Sequence, residues 1–437
     1  MLIDKRDLLP GVRLIYVNTD KFKTGVFSVW IKSALDSNTA AAHAVIPHVL
    51  LRGSKSLPDM EQISAALEEM YGSSISPINR KIGETQYVGF LSSFPDDKFL
   101  PEGTKVAAPV ISLLFDLLLR PNTHGGLLLQ EYVNSERDKH IEQILSLKND
   151  KGAYAQIRLL DKMFEGEAYA ISAMGTAPEA KSINYLKLTK IYRELIQTAP
   201  IDIIYCGSMP IDDLLSVLTE ELAVLPRTVI KNLPETEIKF PSEDFVPRTV
   251  FEDEDTEQEK LIVGWRLGDY MKNPDLASLM VFNSVFGGDM SSKLFVNVRE
   301  KMSLCYNISS FVDRFKGVLF ASCGISEDDY DAALSEIFNQ LDAIRRGEIS
   351  EFEMSAAIQS CVSSYRSVAD SAYSMQSFIL NQLASSQFML PLELSELCMR
   401  VTPADLAGIA DSVVLDTVYL MRDNKTSENA KDTDDND

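Results

Sequence analysis

Residues 87–97 read YVGFLSSFPDD, and residues 318–329 read VLFASCGISEDD. Both are apolar runs that close on acidic residues, the pattern of a strand running into a helix start. A long amphipathic stretch follows each. A chain that writes one supersecondary unit twice is expected to fold it twice, so this repeat decides the architecture.

The parallel extends outward in both directions. Downstream, LLLRPNTHGGLLLQEYVNSERDKHIEQI (117–144) and LDAIRRGEISEFEMSAAIQSCVSSY (341–365) each read as a loop leading into another helix. Upstream, ISAALEEMYGSSIS (63–76) matches LFVNVREKMSLCYNIS (294–309) as a helix that turns into a strand. Further upstream, the apolar strands GVFSVWIKSAL (25–35) and KLIVGWRL (260–267) each precede a short helix. Those short helices lie in HAVIPHVLLRG (43–53) and ASLMVFNSVFGGDMSS (277–292).

Between the halves, residues 225–260 are proline-spaced and strongly acidic, which suits an extended linker better than a packed element. The expected division is a first domain over 1–225, a linker over 226–250, a second domain over 251–424 and a disordered acidic tail, KTSENAKDTDDND, over 425–437. Strands mixed with helix pairs at hairpin-like spacing predict an α+β class: two homologous domains, each an antiparallel sheet with helices packed on it.

Composition sets outer bounds on function. At 437 residues the chain exceeds one hydrophobic core. A formal charge of −22 repels a phosphate backbone, so nucleic acid is not an expected partner. The opening MLIDKRDLLPGVRLIYV carries charges where a secretory signal needs an apolar core, and no run reaches membrane-span length. A cytoplasmic protein without membrane contact is expected. Five cysteines, Cys206, Cys305, Cys323, Cys361 and Cys398, are widely spaced and lack any C-x-x-C pairing, which reads as buried free thiols.

Taken with the duplication, FGGDMSSKLFVNVREKMSLCY (286–306) gives the chain a resemblance to the insulinase/pitrilysin zinc peptidases, and within them to two-domain subunits similar to mitochondrial processing peptidase. The segment is similar to that family's second-domain signature: a glycine-rich turn, a helix, then an Arg and a Tyr seven positions apart. The resemblance spans nearly the whole chain. It implies paired domains that face a second such pair around a chamber where unfolded peptides are cut.

Active members of the family carry H-x-x-E-H on the short helix of the first domain and a glutamate from a later helix. Two imidazoles four apart share a helix face and can hold one Zn²⁺, while the intervening glutamate activates its water. Aligning VLLRG with the family places Ala44, Pro47 and His48 at the His, Glu and His positions. Only His48 keeps its type. The paired glutamates of the later helix correspond to Glu136 and Gln143, with a glutamine at the ligand position. The charged residues around them, with His140, read as a solvated helix face, and His124 as a turn residue.

His43 stands five residues before His48, a rotation of about 140° along a helix, so the two cannot meet at one ion unless Pro47 breaks the helix. The first domain therefore reads as a former metal site, and His48 as a structural residue. No metal is expected in this chain, and the zinc is expected in a partner subunit.

The resemblance further implies that Arg299 and Tyr306 act on the opposing subunit's substrate as catalytic residues, with Gly287, Gly288 and Asp289 as substrate-binding residues. Taken singly, Arg299 would be a solvated helix residue beside Glu300 and Tyr306 a core residue of a strand; the surrounding twenty residues favour the functional reading. The turn lacks the strand-G-x-G-x-x-G-helix order of a phosphate cradle. The run NDKGAYAQIRLLDKMFEGEAYA (149–170) resembles a bacterial subgroup of such degenerate subunits.

The expected function is thus a catalytically incomplete subunit of a heteromeric zinc peptidase, paired with a zinc-bearing paralogue that cuts peptides. A homodimer is compatible with the same reading. The alternatives are an independent metallopeptidase with an irregular His43, His48 and Glu142 set, and a non-enzymatic scaffold that holds extended peptides along a sheet edge.

Overall fold

The computed structural model describes residues 2–424 apart from Glu243 and Ser386, so the acidic tail expected over 425–437 lies outside the described residues. Strands β1 (Leu2–Leu9), β2 (Val12–Asn18) and β3 (Thr24–Ala34) lead into helices α1 (Ala40–Leu50) and α2 (Met60–Glu69), then the hairpin β4 (Ser74–Ile82) and β5 (Thr85–Pro95). Helix α3 (Ala107–Leu119), the short pair β6 (Thr123–His124) and β7 (Leu127–Leu128), and α4 (Gln130–Ser146) follow. Helices α5 (Lys151–Met163), α6 (Ala177–Lys181) and α7 (Tyr185–Thr198), strand β8 (Ile201–Gly207) and α8 (Ile211–Leu222) complete the first half.

The second half contains β9 (Arg248–Glu254), β10 (Glu259–Arg266), α9 (Leu276–Asn283), β11 (Cys305–Asp313) and β12 (Val318–Ile325). Helices α10 (Tyr330–Arg345), α11 (Glu351–Val368), α12 (Ala372–Leu383), α13 (Pro391–Cys398) and α14 (Pro403–Ser412) precede the closing strand β13 (Val414–Asp423). Part of the stretch read as a linker is a paired element: β9 lies parallel to β13, from Arg248 opposite Thr417 to Glu254 opposite Asp423.

The two sheets repeat one topology. The first runs β1-β2-β8-β3-β5-β4 and the second β9-β13-β10-β12-β11, so β2, β8, β3, β5 and β4 correspond to β9, β13, β10, β12 and β11. Each sheet is antiparallel except for one parallel pair, β2 with β8 and β9 with β13. The α+β class read from the sequence holds, with that parallel pair as the addition.

The repeat reaches down to single turns. After α2 the backbone enters the left-handed region at Tyr71 (φ 59°), and after the helical segment Phe295–Lys301 it does so at Ser303 (φ 56°). Ser73 N–H bonds to Leu67 O at 3.2 Å and Leu304 N–H to Val298 O at 3.1 Å, the six-residue closure of a Schellman-type helix stop. Both chains then turn directly into an edge strand, β4 or β11.

By contacts the chain forms two compact units, and neither is one continuous half. The first comprises Met1–Leu145, Ile171–Glu235 and Ala369–Ser386; the second comprises Ser146–Ala170, Thr236–Val368 and Gln387–Asp437. Helix α5, from the first half, packs on β10 and β13, while the corresponding α12, from the second half, packs on β3 and β8. The halves thus exchange one helix each.

This exchange explains why the central strands are buried on both faces. Strand residues alternate sides, and in β10 Leu261 and Val263 join the core formed with α9, α10 and α14, whereas Ile262 joins Ala155, Leu159 and Met163 of α5.

Candidate functional site

In the first unit, α1 is built from alanines and β-branched residues and is buried along almost its whole length. Thr39 at its N-cap makes no side-chain bond; the capping oxygen comes from α6, where Glu179 Oε1 accepts the Ala41 N–H at 2.7 Å. Gly175 makes room for this contact. It sits at φ +66°, and a Cβ there would lie 2.4 Å from Glu179 Oε2 and 2.6 Å from Ala41 N.

Pro47 does not break α1, which runs unbroken from Ala40 to Leu50 with the Leu51 N–H bonded to Pro47 O at 3.0 Å. The two histidines therefore keep their helical separation. His43 Nδ1 lies 3.1 Å from Ser33 Oγ and 3.3 Å from Gln86 Oε1, facing β3 and β5. Burial lowers its pKa to about 4, so it is neutral at physiological pH. His48 is only part-buried; burial lowers its pKa too, while the charge of Glu136 opposes that. Glu142 is exposed on α4, so His43, His48 and Glu142 do not converge.

Glu136 and His140 correct the sequence reading, because both are buried rather than on a solvated face. Glu136 Oε1 is 3.2 Å from Arg52 Nη1 and 2.8 Å from Lys139 Nζ. The Arg52 guanidinium also lies over the Tyr132 ring, 5.1 Å from its centre, and among the described residues its Nε has no hydrogen-bond partner. His140 Nε2 lies 2.8 Å from Met174 O, so Nε2 carries the hydrogen; burial lowers its pKa, with the bonds to Met174 and Gln143 opposing. His124 stays exposed in its turn.

This donor set does not fit zinc. Ala44 and Pro47 offer no ligand atom, Gln143 is uncharged, and Glu136 is already neutralised by two cations. Among the described residues, no group of three or more His, Cys, Asp or Glu side chains is arranged to hold a metal. Arg52 stands one helical turn after His48, a spacing that could have flagged its pairing with α4. Glu179 left no comparable signal, since its target lies 138 positions away.

In the second unit, α9 continues through a wide turn, Ser284–Gly288, into Asp289. Gly287 is required by close packing, since a Cβ there would lie 2.8 Å from both Leu294 Cδ1 and Ser310 Oγ. Asp289 closes the turn: Oδ2 accepts from Ser284 Oγ at 2.5 Å, and Oδ1 accepts from Ser291 N at 2.9 Å and Ser291 Oγ at 2.6 Å. Burial raises its pKa, but these bonds outweigh that and hold the carboxylate below its ordinary range. With Asp289 committed inward, the turn presents Gly288 and Met290 to solvent.

Arg299 and Tyr306 are brought together. The guanidinium lies 4.4 Å from the Phe295 ring centre and 5.7 Å from that of Tyr306, with Glu300 3.7 Å away. Tyr306 is not a strand-core residue; it is 81% exposed. The cause is local. Pairing of β11 with β12 steps from Cys305 opposite Ile325 to Ile308 opposite Cys323, which puts one extra residue on β11, and such a bulge re-aims the side chain it carries.

Comparison with known proteins gives the same outline. A family model described as "Peptidase M16 inactive domain" matches residues 182–361. The Bacillus subtilis protein named "Probable inactive metalloprotease YmfF" is 30% identical over 414 residues, covering 94% of this chain and 96% of that protein. A conserved protein from Enterococcus faecalis V583, known from its crystal structure, shares the fold with a TM-score of 0.88 at 24% identity, over 97% of this chain and 99% of that one. A Pseudomonas fluorescens structure titled as a peptidase M16 inactive domain superposes with a TM-score of 0.74 at 14% identity, over 96% and 98%.

Proposed function

The chain belongs to the peptidase M16 family as an inactive metallopeptidase homologue, and from that premise we propose that it is the catalytically incomplete subunit of a heteromeric zinc peptidase. The observation that carries this reading is the contrast between its two units. The metal-binding half has lost its donors, whereas Arg299 and a bulge-projected Tyr306 stand together with the phenol in solvent.

Amide hydrolysis builds negative charge on the carbonyl oxygen in the transition state. A fixed guanidinium and a phenolic O–H aimed at that oxygen lower its energy most where water is excluded. Arg299 would supply the charge and Tyr306 the hydrogen bond, and the glycine-rich turn would border the bound peptide. The metal-activated water would come from a zinc-bearing paralogue. A cytoplasmic setting agrees with five unpaired cysteines. Among the described residues, no helix is long and apolar enough to cross a membrane.

The test is reconstitution. The chain is mixed with a homologue of intact H-x-x-E-H motif from the same genome, and cleavage of an unfolded peptide is followed. Only the mixture is expected to turn over, and Arg299→Ala is expected to lower its kcat by about 10²-fold. A mixture no more active than the zinc-bearing chain alone would remove the proposal.

A second reading is favoured by the sheet order. Strands β4 and β11 are both edges, and an extended peptide can add to such an edge through main-chain hydrogen bonds. In that case the protein holds peptides without any complex cutting them, and Arg299→Ala weakens binding with no effect on turnover.

A further inference from the structure

The two sheets differ by one strand. In the first, the outer side of β2 is covered by β1, which pairs antiparallel with it from Leu2 opposite Asn18 to Leu9 opposite Val12. In the second, the counterpart of β2 is β9, which is bonded to β13 on one side and to no described strand on the other. Every second residue of such an edge strand turns its N–H and C=O away from its neighbour. Among the described residues, no group outside β13 accepts a hydrogen bond from a main-chain N–H of Arg248–Glu254. The outer edge of β9 is therefore open to a further strand.

The side chains of β9 alternate. Thr249, Phe251 and Asp253 are exposed, whereas Arg248, Val250, Glu252 and Glu254 lie on the half-buried side. Phe251 is 46% exposed, and its ring is placed by neighbours: the Arg422 guanidinium lies 5.1 Å from its centre and the Tyr330 ring 5.9 Å away.

We propose that the outer edge of β9 pairs antiparallel with β9 of a second copy of this chain, joining two five-stranded sheets into one of ten strands about a two-fold axis at Phe251. In that register RTVFEDE is complementary to itself. Arg248 stands opposite the Glu254 position of the second copy, Thr249 opposite Asp253, Val250 opposite Glu252, and Phe251 opposite Phe251.

Charge selects the direction. Glu252, Asp253, Glu254 and Asp255 are consecutive acids, and the chain carries −22 in all, so a parallel pairing would set acid beside acid. The antiparallel pairing offsets the two Glu254 carboxylates by about 20 Å along the strands, beyond the Debye length of about 8 Å, and brings each to an Arg248. Glu252, the acid nearest the axis, is already neutralised by Arg158 and Lys162, 2.6 and 3.4 Å from its Oε1. This interface uses neither Arg299 nor Tyr306, since β11 is the opposite edge of the same sheet. It therefore stands or falls apart from the peptidase reading.

The full-length chain, with no zinc-bearing partner present, is passed through size-exclusion chromatography with light scattering at rising concentration. The expected mass at micromolar concentration is twice the 48.7 kDa of one chain. Phe251→Lys sets two cations face to face at the axis and is expected to return the single-chain mass while staying folded by circular dichroism. Phe251→Cys is expected to link two copies through that position under mild oxidation, reversibly with dithiothreitol, because directly opposed residues of an antiparallel pair have Cα atoms about 4.5–5.5 Å apart, within disulfide reach. Phe352→Cys, at a 72% exposed position of α11, is the control and is expected to stay unlinked. A single-chain mass for the parent protein up to about 100 µM, a dimer that survives Phe251→Lys, or linking no faster at position 251 than at 352 overturns the proposal. If the lysine variant folds poorly, the cysteine pair of variants decides.

Discussion

Arg52 and Glu136 form a part-buried ion pair, with Arg52 Nη1 3.2 Å from Glu136 Oε1. A carboxylate held by Arg52 and Lys139 has little charge left for a cation. The purified chain is expected to contain zinc well below one ion per molecule by elemental analysis, and chelator treatment is expected to leave its Tm unchanged. Near-stoichiometric zinc that disappears in His48→Ala would contradict the structure.

His43 predicts the direction of the pH dependence. Its pKa falls from an ordinary 6.5 to about 4 on folding, because burial disfavours the imidazolium. The unfolded chain therefore binds the proton more readily, so the folded state has its full stability above pH 6.5 and loses it progressively as pH falls towards 4. Integrated over that window, the loss is about 3 kcal/mol from this residue. His48 and His140, both lowered by burial, act in the same direction. Urea unfolding at several pH values is expected to show this slope, and His43→Gln is expected to flatten it.

The duplicated unit was legible because strand-to-helix patterns survive in each half, as YVGFLSSFPDD and VLFASCGISEDD do. That Ala44 and Pro47 carry no metal-ligating atom is read directly from the sequence, since ligand chemistry is local and positional. What stayed hidden was long-range. The polar composition of α4 conceals the burial of Glu136 and His140, because their partners Arg52 and Met174 come from elsewhere in the chain. The continuous apolar run KLIVGWRL shows that β10 is covered on both faces, but not that α5 of the other half covers one of them.

The segment exchanged into the second unit is held by a buried ion network. Glu167 Oε2 is 2.7 Å from Lys316 Nζ, Glu167 Oε1 is 3.1 Å from Arg266 Nη2, and Arg266 Nε is 2.6 Å from Asp416 Oδ2. The Lys316 side chain has no solvent exposure at all, and it also donates to Glu237 O at 2.6 Å. Removing one partner leaves an uncompensated buried charge, so Glu167→Ala is expected to cost about 3–5 kcal/mol in denaturant unfolding. Lys316→Met alone should be comparably harmful, and the pair Glu167→Leu with Lys316→Met milder than the sum.

Helix exchange makes a separate prediction about the halves. Leu159 and Met163 of α5 are fully buried against Ile262, Tyr419 and Met421 of the second sheet. A fragment carrying residues 1–225 exposes that helix, and one carrying 226–424 uncovers a sheet face. Each alone is expected to give poor near-ultraviolet dichroism and rapid proteolysis, whereas co-expression restores a protease-resistant complex. Leu159→Ala in the intact chain is expected to cost about 2–5 kcal/mol.

Tyr306 offers the cleanest separation of function from stability. Its ring is 81% exposed and lies 5.7 Å from the Arg299 guanidinium. Substitutions at exposed sites of this kind shift folding free energy by no more than about 0.5 kcal/mol. Tyr306→Phe keeps the ring and deletes the hydrogen-bond donor, so its denaturation curve should overlay that of the parent chain. If the phenol serves a transition state formed with a zinc-bearing partner, the same variant lowers kcat of the reconstituted pair by roughly 10-fold or more with little change in KM, because the lost bond forms only as charge develops. A rise in KM at constant kcat would instead assign Tyr306 to holding the peptide, and equal kinetics for both chains would leave Tyr306 outside the chemistry altogether.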